Sequence, residues 1–207
     1  KFSIHEARKA YNLVFSDEPS LGILLEYPGL EKGKISKTIS FGSLHLSSKT
    51  NPKSVEKSQK SGAVQVSFIG CGNYANSVLI PSFKSAGAIL LTAASMSGDS
   101  SAHSAKKFKF SYASTDIDSL FKDPGNDALV ISTRHNSHAK YVSHGLLNNK
   151  SIFVEKPLCI TLKELKKIEV DFKSSYENRA DNPILMVGFN RRFSPHGKKI
   201  KSLLAKE

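Results

Sequence analysis

Residues 65–83 read QVSFIGCGNYANSVLIPSF, an apolar run that passes through Gly70-Cys71-Gly72-Asn73-Tyr74-Ala75 into a helical pattern. The glycine pair has two readings: a loop for a phosphate group, or a tight turn between strand and helix. In the first, Gly70 makes the sharp turn out of the strand. Gly72 lets the backbone approach a pyrophosphate because it carries no side chain, and Ala75 is small enough for close helix-to-strand packing. The amides opening the following helix would face the phosphates, with the helix dipole adding to the attraction. In the second, glycine is simply what a junction of this kind favours. The turn alone leaves both open, so the surrounding chain has to decide.

From residue 63 the pattern is regular. AVQVSFIG reads as a buried strand, then come the glycine turn and a helix to about Ala86, the strand AILLTAAS and the helical SSAHSAKKF. A short FSYAS strand and the helical DIDSLFKD lead through Pro124-Gly125-Asn126 into ALVIST. The helical HAKYVSHGLL precedes the strand IFVEKP, the charged helix TLKELKKIEVDF, a polar loop and the strand ILMVGF. Strands alternating with helices at this spacing predict an α/β fold, a parallel sheet wrapped on both faces with ligands at the carboxyl ends of its strands. The opening turn lies at such an end.

The front of the chain is different. HEARKAYNLVFS, residues 5–16, sets Ala7, Ala10, Tyr11 and Val14 on one helical face, and SLGILLEYP reads as a short strand. Residues 31–61 hold eight serines and seven lysines against two acids, with Pro52 and three glycine or asparagine breakers, which suits a linker. Within it, KTISF is able to form an edge strand.

Composition narrows the function. The chain of 207 residues is 39% hydrophobic, with no run near the ~20 apolar residues of a membrane span and no apolar signal core at its start, so a cytoplasmic protein is expected. The charge of +12 is mostly lysine scattered along the chain. That reads as a lysine-rich surface and not as a nucleic-acid groove. Cys71 and Cys159 are read as packing residues, and His103, His144 and His196 lack the spacing of a metal site; no metal is expected.

Eighty-five residues after Gly70, SIFVEKP ends its strand in Glu155-Lys156-Pro157, and ALVISTRHNSHA carries Thr133 and His138 past the end of another. With the first turn and MVGFNRRFSP, these stretches resemble the Gfo/Idh/MocA family over about residues 63–205. The resemblance implies a Rossmann-type doubly wound sheet that binds NAD or NADP. It also implies hydride transfer to or from a sugar, cyclitol or related carbonyl. By it, Gly70, Gly72, Asn73, Tyr74 and Ala75 cradle the cofactor phosphates. Thr133, Arg134 and His138 fall on the family's T-P-x-x-x-H loop, with Arg134 in place of proline. Lys156, after Glu155, matches the lysine beside the nicotinamide and the reacting hydroxyl. A lysine at a strand end can hydrogen-bond a developing alkoxide. Ser95 and Ser97 stand before Asp99 where an NAD site carries an acid; with Lys106 and Lys107 on the next helix, they predict that NADPH binds at least as well as NADH. Arg191 and Arg192 are set to anchor an anionic substrate or the cofactor phosphates, or to pair with acids at a domain junction.

The first 28 residues resemble the closing helix and strand of a zinc-type alcohol dehydrogenase domain, as in bi-domain oxidoreductases that fuse such a domain to a Gfo/Idh/MocA module. The chain is then expected to be the middle of such a fusion: residues 1–30 a tail of the first module, 31–62 a linker, 63–190 the Rossmann domain and 191–207 the start of a truncated substrate domain. On this expectation the chain alone binds cofactor without turnover. A small sugar-like substrate and a possible homo-oligomer are the expected partners, without nucleic acid or membrane. A non-catalytic nucleotide-binding or regulatory module is the alternative, and a methyltransferase would share the glycine turn but not the Glu-Lys-Pro strand end.

Overall fold

The computed structural model describes residues 1–27, 36–41, 63–177 and 184–205. The chain forms two compact units, Lys1–Ser36 and Lys37–Glu207. In the first, β1 (Phe2–Ser3) leads through a 3-10 turn into α1 (Ala7–Val14), and β2 (Leu25–Glu26) lies parallel to β1. Of the apolar face expected on α1, Ala10 is buried at 2% exposure. Tyr11 and Val14 remain 60% and 56% exposed. The strand expected over SLGILLEYP is shorter than its apolar run, because among the described residues only Leu25 and Glu26 of it pair.

The second unit opens with β3 (Thr38–Ser40), followed by β4 (Gln65–Ile69) and α2 (Ile80–Ser85). Then come β5 (Ile89–Ala94), α3 (Gly98–Phe108), β6 (Tyr112–Ser114), α4 (Ile117–Lys122) and β7 (Ala128–Ile131). The chain continues through α5 (His138–Leu147), β8 (Ser151–Val154), α6 (Leu162–Glu177), β9 (Leu185–Val187) and α7 (Pro195–Leu204). The seven strands lie in the order β3-β6-β5-β4-β7-β8-β9. All pair in parallel except β3, which runs antiparallel along β6. KTISF thus supplies an edge strand, and linker residues 31–35 and 42–62, with residues 28–30 of the tail, lie outside the described ones.

The period-two alternation of the strands feeds two cores. Val66, Phe68, Ala93 and Val130 pack with Leu79, Ile80 and Ala105 on one face, where Phe68, Phe83, Phe110 and Phe153 meet edge to face. Ile69, Ala94, Leu129, Ile131, Ile152 and Val154 pack on the other against Val142 and Leu146 of α5 and Ile168 of α6. Helices on both faces make the sheet doubly wound. The strand order turns back between β4 and β7, so the crevice of this topology opens at their carboxyl ends.

Helix ends follow from local chemistry. Thr161 and Glu164 form a reciprocal cap at the start of α6: Glu164 Oε2 accepts from Thr161 N at 2.9 Å and Thr161 Oγ1 from Glu164 N at 3.2 Å. Hydrogen bonds from the Ile160 and Thr161 amides hold the Glu164 carboxyl below its ordinary range. The helix after β4 widens into a π-helical turn over Ala75–Leu79 before α2. Pro81 in the next turn explains the widening, since it has no N–H to continue the ladder and its ring crowds the carbonyl four residues back.

Candidate functional site

Gly70 leaves β4 with φ at +96°. A Cβ there would lie 2.7 Å from Ser132 O and 2.9 Å from Thr133 N, so the turn is pressed against backbone of the chain leaving β7. The contact is sewn on both sides: Gly70 N donates to Ala94 O at 2.8 Å and Ser132 Oγ to Gly70 O at 2.7 Å. Gly72 differs. Its φ is not positive, and a Cβ on it would meet nothing within 4 Å. The chain's own packing therefore gives no reason for a glycine at 72. Ala75 is buried in the core, as close helix packing requires.

Among the described residues, the N–H groups of Cys71, Gly72, Asn73, Tyr74 and Ala75 donate no hydrogen bond. The carbonyls of Cys71, Gly72 and Asn73 are taken. Asn76 Nδ2 donates to Cys71 O at 2.8 Å and to Gly72 O at 3.0 Å, and Ser77 Oγ donates to Asn73 O at 2.7 Å. Asn76 Oδ1 in turn accepts from Ser104 Oγ of α3 at 2.7 Å. A run of free donors with its acceptors turned away fits an anionic group. Sequence reading missed Asn76 and Ser104, because bonds from side chain to backbone leave no mark on hydrophobic periodicity.

The loop after β7 borders the same crevice. Arg134 stands where the T-P-x-x-x-H pattern has proline, yet its φ of −69° and ψ of 147° are proline's own. Its N–H donates to nothing among the described residues. Arg134→Pro is therefore expected to stabilise the chain by about 0.4–1 kcal/mol, by restricting the unfolded state. A urea midpoint lower than that of the unaltered chain would contradict this. His138 is fully buried, with Nδ1 2.7 Å from Pro157 O and Nε2 3.0 Å from Thr133 O. It ties this loop to the one after β8 from beneath, so its ring has no free nitrogen for a ligand.

At the end of β8, Glu155 folds back. Its Oε2 accepts from Lys156 N at 3.3 Å, and its carboxylate occupies the space that a Cβ on Gly188, past β9, would need. The Lys156 side chain is exposed and forms no hydrogen bond or ion pair among the described residues, which leaves its ammonium available at the crevice. Tyr74 and Asn190 meet across the same end of the sheet, Asn190 Nδ2 donating to Tyr74 Oη at 3.2 Å.

Residues 64–175 match the Gfo/Idh/MocA description, "Oxidoreductase family, NAD-binding Rossmann fold". The chain belongs to the Gfo/Idh/MocA family. It is 38% identical over 76 residues to scyllo-inositol 2-dehydrogenase (NAD(+)) of Bacillus subtilis, covering 37% of this chain and 20% of that protein. The fold is similar, with a TM-score of 0.62 and 25% identity, to myo-inositol dehydrogenase from Lactobacillus casei, solved with NAD(H) and myo-inositol; 70% of this chain and 42% of that one are covered. A 3-ketoreductase from Actinomadura kijaniata, solved with TDP-benzene and NADP, shares the fold at a TM-score of 0.61 and 18% identity over 70% of this chain and 44% of its own. The chain thus spans well under half the length of these relatives.

Other residues of this Gfo/Idh/MocA domain sit less simply. Ser95, at the end of β5, gives its hydroxyl to Ser97 O and lies 2.8 Å from Ser100 Oγ. Ser97 is exposed at the start of α3, with Asp99 in the first turn. Lys106 and Lys107 are in the last turn. Residues 98–105 of the helix, about 12 Å at roughly 1.5 Å each, lie between its start and Lys106, so the expected support of the two lysines for a ribose phosphate is withdrawn. Arg191 is exposed. Arg192 donates to Val187 O at 3.4 Å and stacks 5.0 Å from the Phe193 ring. Neither arginine makes an ion pair among the described residues, where no cluster of metal ligands occurs and no helix is long and apolar enough to cross a membrane.

Cys71 and Cys159 both pack against the cores. Burial pushes the Cys71 thiol from an ordinary 9.0 up to about 11. Because the folded value is the higher, the thiol contributes stability that is fully present below pH 9.0 and is lost as pH rises toward about 11. The loss is roughly 1.4 kcal/mol per pH unit in that window. Melting curves of the unaltered chain and Cys71→Ala should converge across it, and parallel curves would refute the burial effect.

Proposed function

We propose that this chain is the dinucleotide-binding module of an NAD(P)-dependent oxidoreductase acting on a sugar, cyclitol or related carbonyl compound. The observation that carries the reading is the row of unused N–H groups at residues 71–75, beside a Gly72 that intrachain packing does not require. In this reading Gly70, Gly72, Asn73, Tyr74 and Ala75 hold the pyrophosphate, and Ser95 and Ser97 line the adenosine ribose. Thr133 and Arg134 follow the dinucleotide, while His138 holds their loop. Ser95 brings a hydroxyl where a carboxylate would repel a 2′-phosphate, so NADPH is accepted at least as well as NADH.

The cofactor, when bound, supplies or accepts the hydride. What the chain adds is position and charge. Glu155 turns the strand end, and the free Lys156 ammonium donates a hydrogen bond to the reacting oxygen and stabilises negative charge developing there. Arg191 and Arg192, past β9, are read as anchors for the substrate. Relatives named for inositol oxidation support a cyclitol-like substrate. We also read the first unit as the end of an alcohol dehydrogenase-like domain, on the order of its helix and closing strand.

Residues 1–207 by themselves are proposed to bind dinucleotide without turnover. Lys156 is exposed, and contact-distance alignment of the reacting carbons requires more enclosure than an open crevice gives; misplacement by about 1 Å can lower the rate roughly a hundredfold. The test is an assay with NAD(P) and a panel of cyclitols and sugars, beside a longer chain carrying the complete second module. Turnover only in the longer chain, abolished there by Lys156→Ala, is expected. Equal turnover in both would refute the incomplete-site reading, and a fully active Lys156→Ala would refute the role of the lysine.

A further inference from the structure

The glycine turn presents only donors to the crevice, and one side chain accounts for most of that polarity. Carbonyls only accept, so the NH2 end of Asn76 has to face Cys71 O and Gly72 O, and its oxygen has to face the Ser104 hydroxyl. Ser104 is fully buried on α3, which fixes the amide from behind. The backbone N–H of Asn76 also donates to Gly72 O at 3.0 Å, so that carbonyl is held twice.

We propose that Asn76, braced by Ser104, is a positioning residue for the pyrophosphate: it draws the loop carbonyls inward so that the N–H groups of residues 71–75 alone meet the anion. The inference rests on the cofactor reading above. A carbonyl dipole turned toward a phosphate would repel it, whereas consecutive N–H groups bind it. The π-helical turn starts beside the same residues, and Asn76 and Ser77 add side-chain donors to the carbonyls of Gly72 and Asn73 that precede it.

The test titrates NADPH into the full chain and into Asn76→Asp and Ser104→Ala. At neutral pH the carboxylate of Asn76→Asp faces two carbonyls without a proton to donate, and binding should weaken about tenfold or more. As pH falls through the ordinary aspartate value of about 3.9 the carboxyl gains a proton, can donate to one carbonyl again, and affinity should recover in part relative to the unaltered chain. A merely structural defect would show no such recovery. Equal affinity of Asn76→Asp and the unaltered chain, or a loss that is the same at every pH, would overturn the inference. Should Asn76→Asp not fold, Ser104→Ala decides: about threefold weaker binding with a little-changed melting temperature is expected from loss of one neutral hydrogen bond, and unchanged affinity overturns it. Failure of the unaltered chain to bind either NADPH or NADH would instead bring down the cofactor reading, and this inference with it.

Discussion

Gly70→Ala is expected to destabilise the second unit by about 2–5 kcal/mol, a large part of the roughly 5–15 kcal/mol that holds a domain together. Two effects add. Alanine is strained at the φ of +96°, and its Cβ would lie 2.7–2.9 Å from backbone atoms of Ser132 and Thr133, which cannot rotate away as a side-chain tip could. The displaced strand ends are those joined by the bonds Gly70 N to Ala94 O and Ser132 N to Ile69 O. Urea denaturation measures the effect, and a loss below about 0.5 kcal/mol, the range of an ordinary surface change, would contradict the turn described here.

Gly72→Val is expected to do the opposite. A Cβ at 72 meets nothing within 4 Å and the backbone is not in the left-handed region, so stability should change by no more than about 0.5 kcal/mol. Dinucleotide binding should fall by a few kcal/mol, on the order of a hundredfold, because the isopropyl group occupies the path by which backbone and pyrophosphate approach. Two glycines two residues apart thus separate fold from function. Calorimetry with NADPH on a folded Gly72→Val chain checks it; unchanged affinity would remove the phosphate role from this turn.

The central strands of the second unit were legible because each is a run whose residues alternate between two buried cores, as Leu129 and Ile131 against Val130 illustrate. The turn and the Glu-Lys-Pro strand end were legible through their positions at carboxyl ends of strands. What escaped depends on three dimensions rather than on period. Lys106 and Lys107 are near the β5 end in sequence, but α3 carries them to its far end. Arg134 keeps a proline-like backbone without the proline ring. Gly188 reads as a strand-end glycine, and only the packed structure reveals that it makes room for the Glu155 carboxylate. In the first unit, helical spacing predicted a face that Tyr11 and Val14 leave exposed, since spacing states which residues align and not what covers them.

The most direct measurement is a titration of the purified chain with NADH, NADPH and S-adenosylmethionine, followed by heat. Saturable binding of both nicotinamide dinucleotides is expected, NADPH at least as tightly as NADH, with none of S-adenosylmethionine. Binding of S-adenosylmethionine alone, or of none of the three, would contradict it.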